Sequence, residues 1–263
     1  MIKKDNFTLV LSGGGALGIA HLGILDDLEQ QNMVPSEVVG TSMGAIIGSC
    51  ISIGMREREI FALFVEFSNV FNWLKFSFSG NSIIDTKKIE SILDAVFKDM
   101  KIKDTKIPLK LIATDILSGD VKVFTSQDDV MIKDAILASM AIPGIFEEKS
   151  IDGTIYNDGF LCENLGINQA SCIDVLAIDV LGKNSFKKDM PSNFFKTSNV
   201  LEMFEKSMRI LIYNQTKNFL TNSTKNIYLI EPDTKEYKTF HFHKYKELRK
   251  VGKNLLKKKL DIK

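Results

Sequence analysis

Val38-Val39-Gly40-Thr41-Ser42-Met43-Gly44-Ala45-Ile46-Ile47-Gly48 passes from an apolar pair through a G-x-S-x-G turn into a run of small and apolar residues. That order is strand, turn, helix, the context a nucleophile elbow requires. At an elbow the serine backbone is strained, and side chains two positions before and after it would collide with the adjoining strand and helix. Glycine at 40 and 44 removes both collisions. The plainer reading is a strand-helix turn in which Ser42 caps the helix.

Upstream, Phe7-Thr8-Leu9-Val10-Leu11 reads as a buried strand leading into Gly13-Gly14-Gly15-Ala16-Leu17-Gly18. Ile19, Leu22, Ile24, Leu25 and Leu28 then recur at helical spacing. Three successive glycines let backbone N–H groups converge on one point, and the helix N-terminus behind them adds partial positive charge. Such a nest holds a phosphate or a developing oxyanion. The spacing Gly13-x-Gly15-x-x-Gly18 also fits a dinucleotide fingerprint, which expects an acidic residue closing the next strand about 20 residues on. Gly40-Thr41-Ser42 stands there, and Glu37 precedes the apolar pair instead of following it, which disfavours a nucleotide.

With 263 residues and 44% hydrophobic content, the chain can bury one substantial core. The expectation is one domain over 1–263, ending in a basic helical segment from about residue 235. A formal net charge of +1 gives no global electrostatic case for nucleic acid. Residues 235–263 nevertheless carry eleven Lys/Arg against three acids. They read as a solvated helix face, or else as a patch drawn to an anionic membrane.

Cys50, Cys162 and Cys172 cannot all pair within one chain and have no metal-ligand spacing, which fits a reducing cytoplasmic setting with no metal and no cofactor. Met1-Ile2-Lys3-Lys4 and the apolar residues after it faintly mimic a secretion signal, but cleavage there would destroy the glycine motif. No unbroken apolar run reaches the roughly 18 residues that span a bilayer. A soluble protein, or one peripheral to the inner face of the membrane, is expected.

Further on, 110–116 and Val121-Lys122-Val123-Phe124 read as strands joined through Ser118-Gly119-Asp120. A helix over 130–140 stops before Ile142-Pro143-Gly144, and Asp152-Gly153 sits at the tip of a second hairpin. Val175-Leu176-Ala177-Ile178-Asp179-Val180 has the almost wholly apolar character of a strand covered on both faces. A helix near 200–219 and a strand at 227–230 complete an α/β alternation.

A serine nucleophile needs a base. His21 lies inside the first helix pattern, where a packing role is expected, and His241 and His243 lie in the polar basic tail. An aspartate serves instead if burial raises its basicity. Asp115, Asp152, Asp158 and Asp179 are the acids able to reach a sheet's C-terminal edge. Asp158-Gly159 stands apart from a plain hairpin turn because Phe160-Leu161-Cys162-Glu163-Asn164 does not alternate as a return strand.

Taken in order, the glycine triplet, Gly40-Thr41-Ser42-Met43-Gly44, the stretch Ala138-Ser139-Met140-Ala141-Ile142-Pro143-Gly144-Ile145-Phe146 and Asp158-Gly159 resemble the patatin-like phospholipase family over roughly residues 7 to 180. The resemblance implies a three-layer α/β/α sandwich with a central, mostly parallel sheet, and hydrolysis of lipid acyl esters by a Ser-Asp dyad without histidine. It implies Ser42 as nucleophile, Asp158 as base, and Gly13, Gly14 and Gly15 as the oxyanion hole. Its partner would be a phospholipid, a lysophospholipid or a similar ester. A catalytically weak lipid-binding or membrane-associated regulator that keeps the pocket is the alternative.

Three positions depart from the family pattern. Leu17 stands where Arg or Lys is usual, so a cation beside the anion pocket is expected to be missing. Phe160 replaces a small residue and is expected to narrow the site; Gly166 replaces a proline and is expected to loosen its loop. Residues 60–78 hold six of the 18 phenylalanines and the only tryptophan. Phe61, Phe64, Phe67 and Phe71 at helical spacing suggest a buried face. The other reading is an acyl-binding wall or lid in which Trp73, Phe76 and Phe78 meet lipid, with Met43 and Phe160 also lining the substrate site.

Overall fold

Apolar residues at both phases of a period-two strand require cover on both faces. In β1 (Thr8–Leu11), Leu9 and Leu11 enter one apolar cluster and Val10 another. β2 (Glu37–Thr41) divides Val38 from Val39, and β3 (Leu109–Asp115) divides Leu111 and Ala113 from Ile112. β7 (Asp174–Ile178) sends Leu176 and Ile178 one way, Val175 and Ala177 the other.

The computed structural model describes residues 2–66, 87–186 and 197–260. The remaining strands are β4 (Val121–Phe124), β5 (Lys149–Ile151), β6 (Thr154–Asp158) and β8 (Asn226–Ile230). Strand order is β5-β6-β3-β2-β1-β7-β8, with β4 also on β3. β3, β2, β1, β7 and β8 run parallel, while β4, β5 and β6 pair antiparallel at one end.

The helices are α1 (Ala20–Gln30), α2 (Met43–Ser52), α3 (57–66), α4 (Lys87–Phe97), α5 (Ile132–Met140), α6 (Thr197–Asn222), α7 (Tyr245–Gly252) and α8 (Leu255–Leu260). Residues of α1, α2 and α5 fill the larger cluster; Leu165, Ile167, Ala170 and, from α6, Leu220 close the smaller one. The result is the α/β/α sandwich with a mostly parallel sheet that the sequence predicts. One detail differs: the glycine loop opens a 3-10 turn, Gly15–Ile19, before α1 begins.

The basic tail has a solvated face, with Lys246, Lys250, Lys258 and Lys259 exposed, and also a buried one. Phe242, Leu248 and Leu256 are buried, and Gly252 lies so close to Ala20 O and Gly23 that neither glycine has room for a side chain. Arg249 forms a two-pronged pair with buried Glu57 at 2.6 and 2.7 Å and stacks 4.6 Å from the Phe61 ring. The Asp27 carboxylate accepts N–H bonds from Asn254 and Leu256 at 3.0 and 3.2 Å, fixing the start of α8. Lysine abundance masks three buried apolar positions and one clamped arginine.

Candidate active site

At the end of β2 the chain turns at Ser42 with φ 53° and ψ −118°, a strained conformation for a residue with a side chain. A Cβ at Gly40 would run into the Gly44 backbone, and one at Gly44 into the backbone of Leu11 and Ser12. The glycine frame of the elbow is therefore steric. Ser42 makes no side-chain capping bond to α2. Its N–H donates instead to Ser139 Oγ at 2.8 Å, whose own O–H donates to Ile112 O at 2.6 Å. Ser139 lies in the stretch from Ala138 to Phe146, but no pattern in the sequence marks this bridge.

β3 brings the second group. Ile112 pairs with Thr41 and also with Val123, while the next residue, Ala113, pairs with Asp158 and also with Lys122. β4 occupies one edge of these residues, so β2 ends and β6 continues along the other. Asp158 is fully buried at the end of β6, with its N–H on Ala141 O at 2.9 Å and its carbonyl taken by Thr114 Oγ1 at 3.0 Å. Oδ1 accepts the Phe160 N–H at 3.0 Å. Oδ2 has no hydrogen-bond partner among the described residues, although the Ser42 hydroxyl lies against this carboxyl.

Burial pushes the Asp158 pKa up to about 7, against the opposing pull of the Ser42 hydroxyl and the Phe160 N–H. A carboxyl that titrates near neutrality beside a hydroxyl can take and return a proton at physiological pH. The other acids are otherwise occupied. Asp115 accepts from the N–H groups of Leu117 and Ser118 in the β3-β4 turn, and Asp152 turns the β5-β6 hairpin at φ 49°. Asp179 is buried and pushed up to about 7 in the same way, with its Oδ1 on the Leu181 N–H at 3.0 Å, but it follows β7, which β1 separates from β2 and its elbow. Buried His21 gives its Nε2 proton to Ser12 O at 3.0 Å and is lowered to about 4 by burial, so it stays neutral. His241 Nδ1 accepts the Lys238 N–H at 3.2 Å.

The glycine loop differs from the expected three-donor nest at one position. Gly13 N–H is turned onto Asn164 O at 3.3 Å, and Ala16 N–H onto Thr239 O at 2.8 Å. The N–H groups of Gly14 and Gly15 have no partner among the described residues. Both residues hold positive φ, 152° and 55°, which suits glycine. Gly13 is glycine for another reason: a Cβ there would stand 2.7 Å from Asn164 Oδ1 and 3.0 Å from Ser42 Cβ.

Thr239 closes over Gly15, where a Cβ would stand 2.5 Å from its carbonyl oxygen. Glu205 secures it, accepting from Thr239 N–H and Oγ1 at 3.0 and 2.6 Å while pairing with Arg209 at 2.8 Å. No periodicity or motif in the sequence announces this strap.

Met43 is buried against Gly18, and Phe160 is half-buried with its ring against the main core. Leu17 is fully buried in the position of the missing cation. Gly166 is not a loosened proline site: its φ of −69° would suit proline, but Ile112 Cδ1 fills the Cβ position and Val39 Cγ1 lies 2.7 Å from it. Phe64 is buried as the helical spacing predicts, whereas Phe67, Phe71, Trp73, Phe76 and Phe78 lie outside the described residues.

Glu37, the acid weighed for a ribose contact, opens β2 at the end of the sheet opposite Ser42. Burial would raise its pKa, but Lys110 at 2.8 Å and hydrogen bonds from Ser171 and Thr8 hold the carboxyl below the usual range. It ties the sheet's lower edge. Among the described residues no group of three or more His, Cys, Asp or Glu is placed to hold a metal ion.

A glycine loop after β1 and a strained serine elbow after β2, both at the C-terminal edge of a mostly parallel sheet, define the α/β class with a nucleophile-elbow turn. Residues 9–171 match the patatin-like phospholipase family, and the chain belongs to that family. An uncharacterised NTE family protein of Mycobacterium tuberculosis is 30% identical over 164 residues, which are 62% of this chain and 45% of the relative. A lysophospholipase of Candida albicans is 25% identical over 276 residues, covering 96% of this chain and 20% of that protein. The chain thus spans less than half the length of these curated relatives. Among solved structures, VipD from Legionella pneumophila aligns with a TM-score of 0.45 at 13% identity, covering 94% of this chain and 67% of that one.

Proposed function

We propose that this chain is a serine acyl hydrolase acting on ester bonds of phospholipids or lysophospholipids, with Ser42 as nucleophile and Asp158 as the sole side-chain base. One observation carries the reading: a strained serine faces a buried carboxyl whose Oδ2 has no hydrogen-bond partner among the described residues and whose pKa is pushed up to about 7. Family membership supports the lipid ester, and the Candida relative is named a lysophospholipase.

In the acylation step Ser42 Oγ bonds to the ester carbonyl carbon while its proton passes to Asp158 Oδ2. The carbonyl electron pair moves onto oxygen, and the Gly14 and Gly15 N–H groups stabilise that charge. Collapse breaks the bond to the leaving alcohol, which takes the proton from Asp158. Water, deprotonated by the same carboxylate, then releases the fatty acid and restores Ser42. The tail helices, packed on the core through Leu248 and Leu256, support 1–263 acting as one catalytic unit. No helix among the described residues is long and apolar enough to cross a membrane, and the reading has the protein meet lipid from the cytoplasmic side at the membrane surface.

The test is a fluorophosphonate probe followed by a panel of lysolipids, diacyl lipids and short p-nitrophenyl esters. Labelling at Ser42 with ester turnover is expected. A chain that binds lipid but neither labels nor turns over any ester would make it a lipid-binding protein instead.

A further inference from the structure

Asn164 is fully buried, and neither Oδ1 nor Nδ2 of its carboxamide has a hydrogen-bond partner among the described residues. An unpaired buried amide is destabilising, so its persistence asks for a partner that the described residues do not supply. The backbone around it, by contrast, is held from three directions. Asn164 O accepts the Gly13 N–H at 3.3 Å, Asn164 N–H donates to Gln215 Oε1 at 3.2 Å, and the preceding carbonyl, Glu163 O, accepts from Thr41 Oγ1 at 3.3 Å. These contacts fix the position of the side chain and leave its polar atoms unused.

That position is beside the nucleophile. Asn164 Oδ1 and Ser42 Cβ lie 2.7 and 3.0 Å from a single point, the place where a Gly13 Cβ would stand. The absent side chain of Gly13 lets the carboxamide and Ser42 share one side of the loop. Gly13 itself has no N–H left to give, since it is turned onto the Asn164 carbonyl.

We propose that the Asn164 carboxamide is a catalytic hydrogen-bond donor. Its Nδ2 joins the Gly14 and Gly15 N–H groups on the oxyanion formed when Ser42 Oγ adds to the ester carbonyl, and takes the place of the Gly13 N–H. Among the described residues no hydrogen bond ties either amide atom, so rotation of the carboxamide presents Nδ2 to that oxygen without breaking one. A dry, preplaced donor acts most strongly where charge develops. The inference rests on Ser42 being the nucleophile.

The experiment compares wild type, Asn164→Leu, Asn164→Ala and Ser42→Ala by thermal melting, p-nitrophenyl ester kinetics and the rate of fluorophosphonate labelling. Leucine keeps the branching and removes both unsatisfied polar atoms, so Asn164→Leu should melt at or above the wild-type temperature. Its kcat should fall about 100-fold with KM within threefold, and labelling should slow in parallel. Asn164→Ala, with room for a water, should fall about tenfold, and it decides the matter if the leucine variant does not fold. A folded Asn164 variant that turns over and labels within threefold of wild type overturns the proposal and leaves Asn164 a packing residue. If Ser42→Ala still labels and turns over, the nucleophile assignment fails and takes this inference with it; if only Ser42→Ala is dead, the donor role alone fails.

Discussion

Thr41 and Asp158 stand at consecutive positions along one edge of β3, opposite Ile112 and Ala113 respectively. Ser42 follows Thr41 directly, so a backbone ladder, not a mobile loop, sets how the elbow serine and the buried carboxyl meet. Groups held by strands keep their spacing more exactly than groups held by loops, which is what proton transfer over a hydrogen-bond distance demands.

Ser42→Ala should therefore remove essentially all ester hydrolysis while the protein melts normally, and Asp158→Asn should abolish hydrolysis as well. Removing one member of a cooperating set typically costs several orders of magnitude in kcat. His241→Ala and His243→Ala should stay within a few-fold of wild type. A Ser42→Ala protein retaining more than about a tenth of the rate, a loss below about 1.4 kcal/mol, would rule out this nucleophile. A dead but folded histidine variant would mark a triad instead.

The raised pKa of Asp158 sets two pH dependences. As a base it must be ionised, so kcat/KM should climb about tenfold per pH unit below neutrality and level off above about 7. For stability the sign is reversed: the folded value lies above the ordinary aspartate value of 3.8, so the native state holds the proton that the unfolded chain releases. That contribution is complete below about pH 4 and is lost as pH rises to about 7. Asp158→Asn should then be more stable than wild type at pH 8, by up to about 4 kcal/mol, with the difference gone near pH 4. Urea melts at the two pH values measure it. A variant less stable than wild type at pH 8 would contradict the burial account.

The core fold was legible because Leu9, Val10 and Leu11, or Leu176, Ala177 and Ile178, are apolar at both phases of a strand, and only a sheet covered on two faces tolerates that. The elbow was legible because Gly40 and Gly44 are steric necessities. The glycine triplet was less so: three glycines look alike in sequence, yet Gly13 makes room for Asn164 while Gly14 and Gly15 keep their N–H groups open. Charge counting finds the tail's exposed lysines but not its buried face, where Leu248 and Leu256 are core residues. The Thr239 strap and the Ser139 bridge depend on hydrogen bonds between distant segments, which leave no periodicity behind.

Gly14→Ala tests the loop directly. At φ 152° a side chain is strained, and its Cβ would stand 2.5 Å from Val180 Cγ2, so the loop must shift. The N–H survives but moves off target. We expect kcat to fall about 100-fold with KM nearly unchanged, as when one oxyanion donor is lost. A normal kcat would show that the Gly14 N–H is not used.

Gly166→Pro asks why this chain dispenses with the family's proline. The backbone angle permits proline, but Ile112 Cδ1 occupies the space. The substitution should destabilise by about 1–3 kcal/mol through overpacking. Ile112→Val removes that methyl, so the double variant should be more stable than the sum of the two single changes. Strict additivity in urea melts would show that the two side chains do not compete for the site.

Ser139→Ala separates hydrogen bonding from burial. Ser139 bridges the Ser42 N–H to Ile112 O, whereas Ser49, equally buried in α2, has a hydroxyl with no hydrogen-bond partner among the described residues. Removing the first hydroxyl orphans two buried backbone groups, about 1–3 kcal/mol each, and frees an elbow whose φ of 53° is itself unfavourable by about 1–3 kcal/mol. The elbow should relax, lowering stability by about 2–4 kcal/mol and slowing fluorophosphonate labelling of the folded protein by at least tenfold. Ser49→Ala deletes an unsatisfied group and should leave labelling unchanged, with stability equal or slightly higher. If both variants label at the wild-type rate, the strain at Ser42 is held by the glycines alone and the Ser139 bridge has no part in placing the nucleophile.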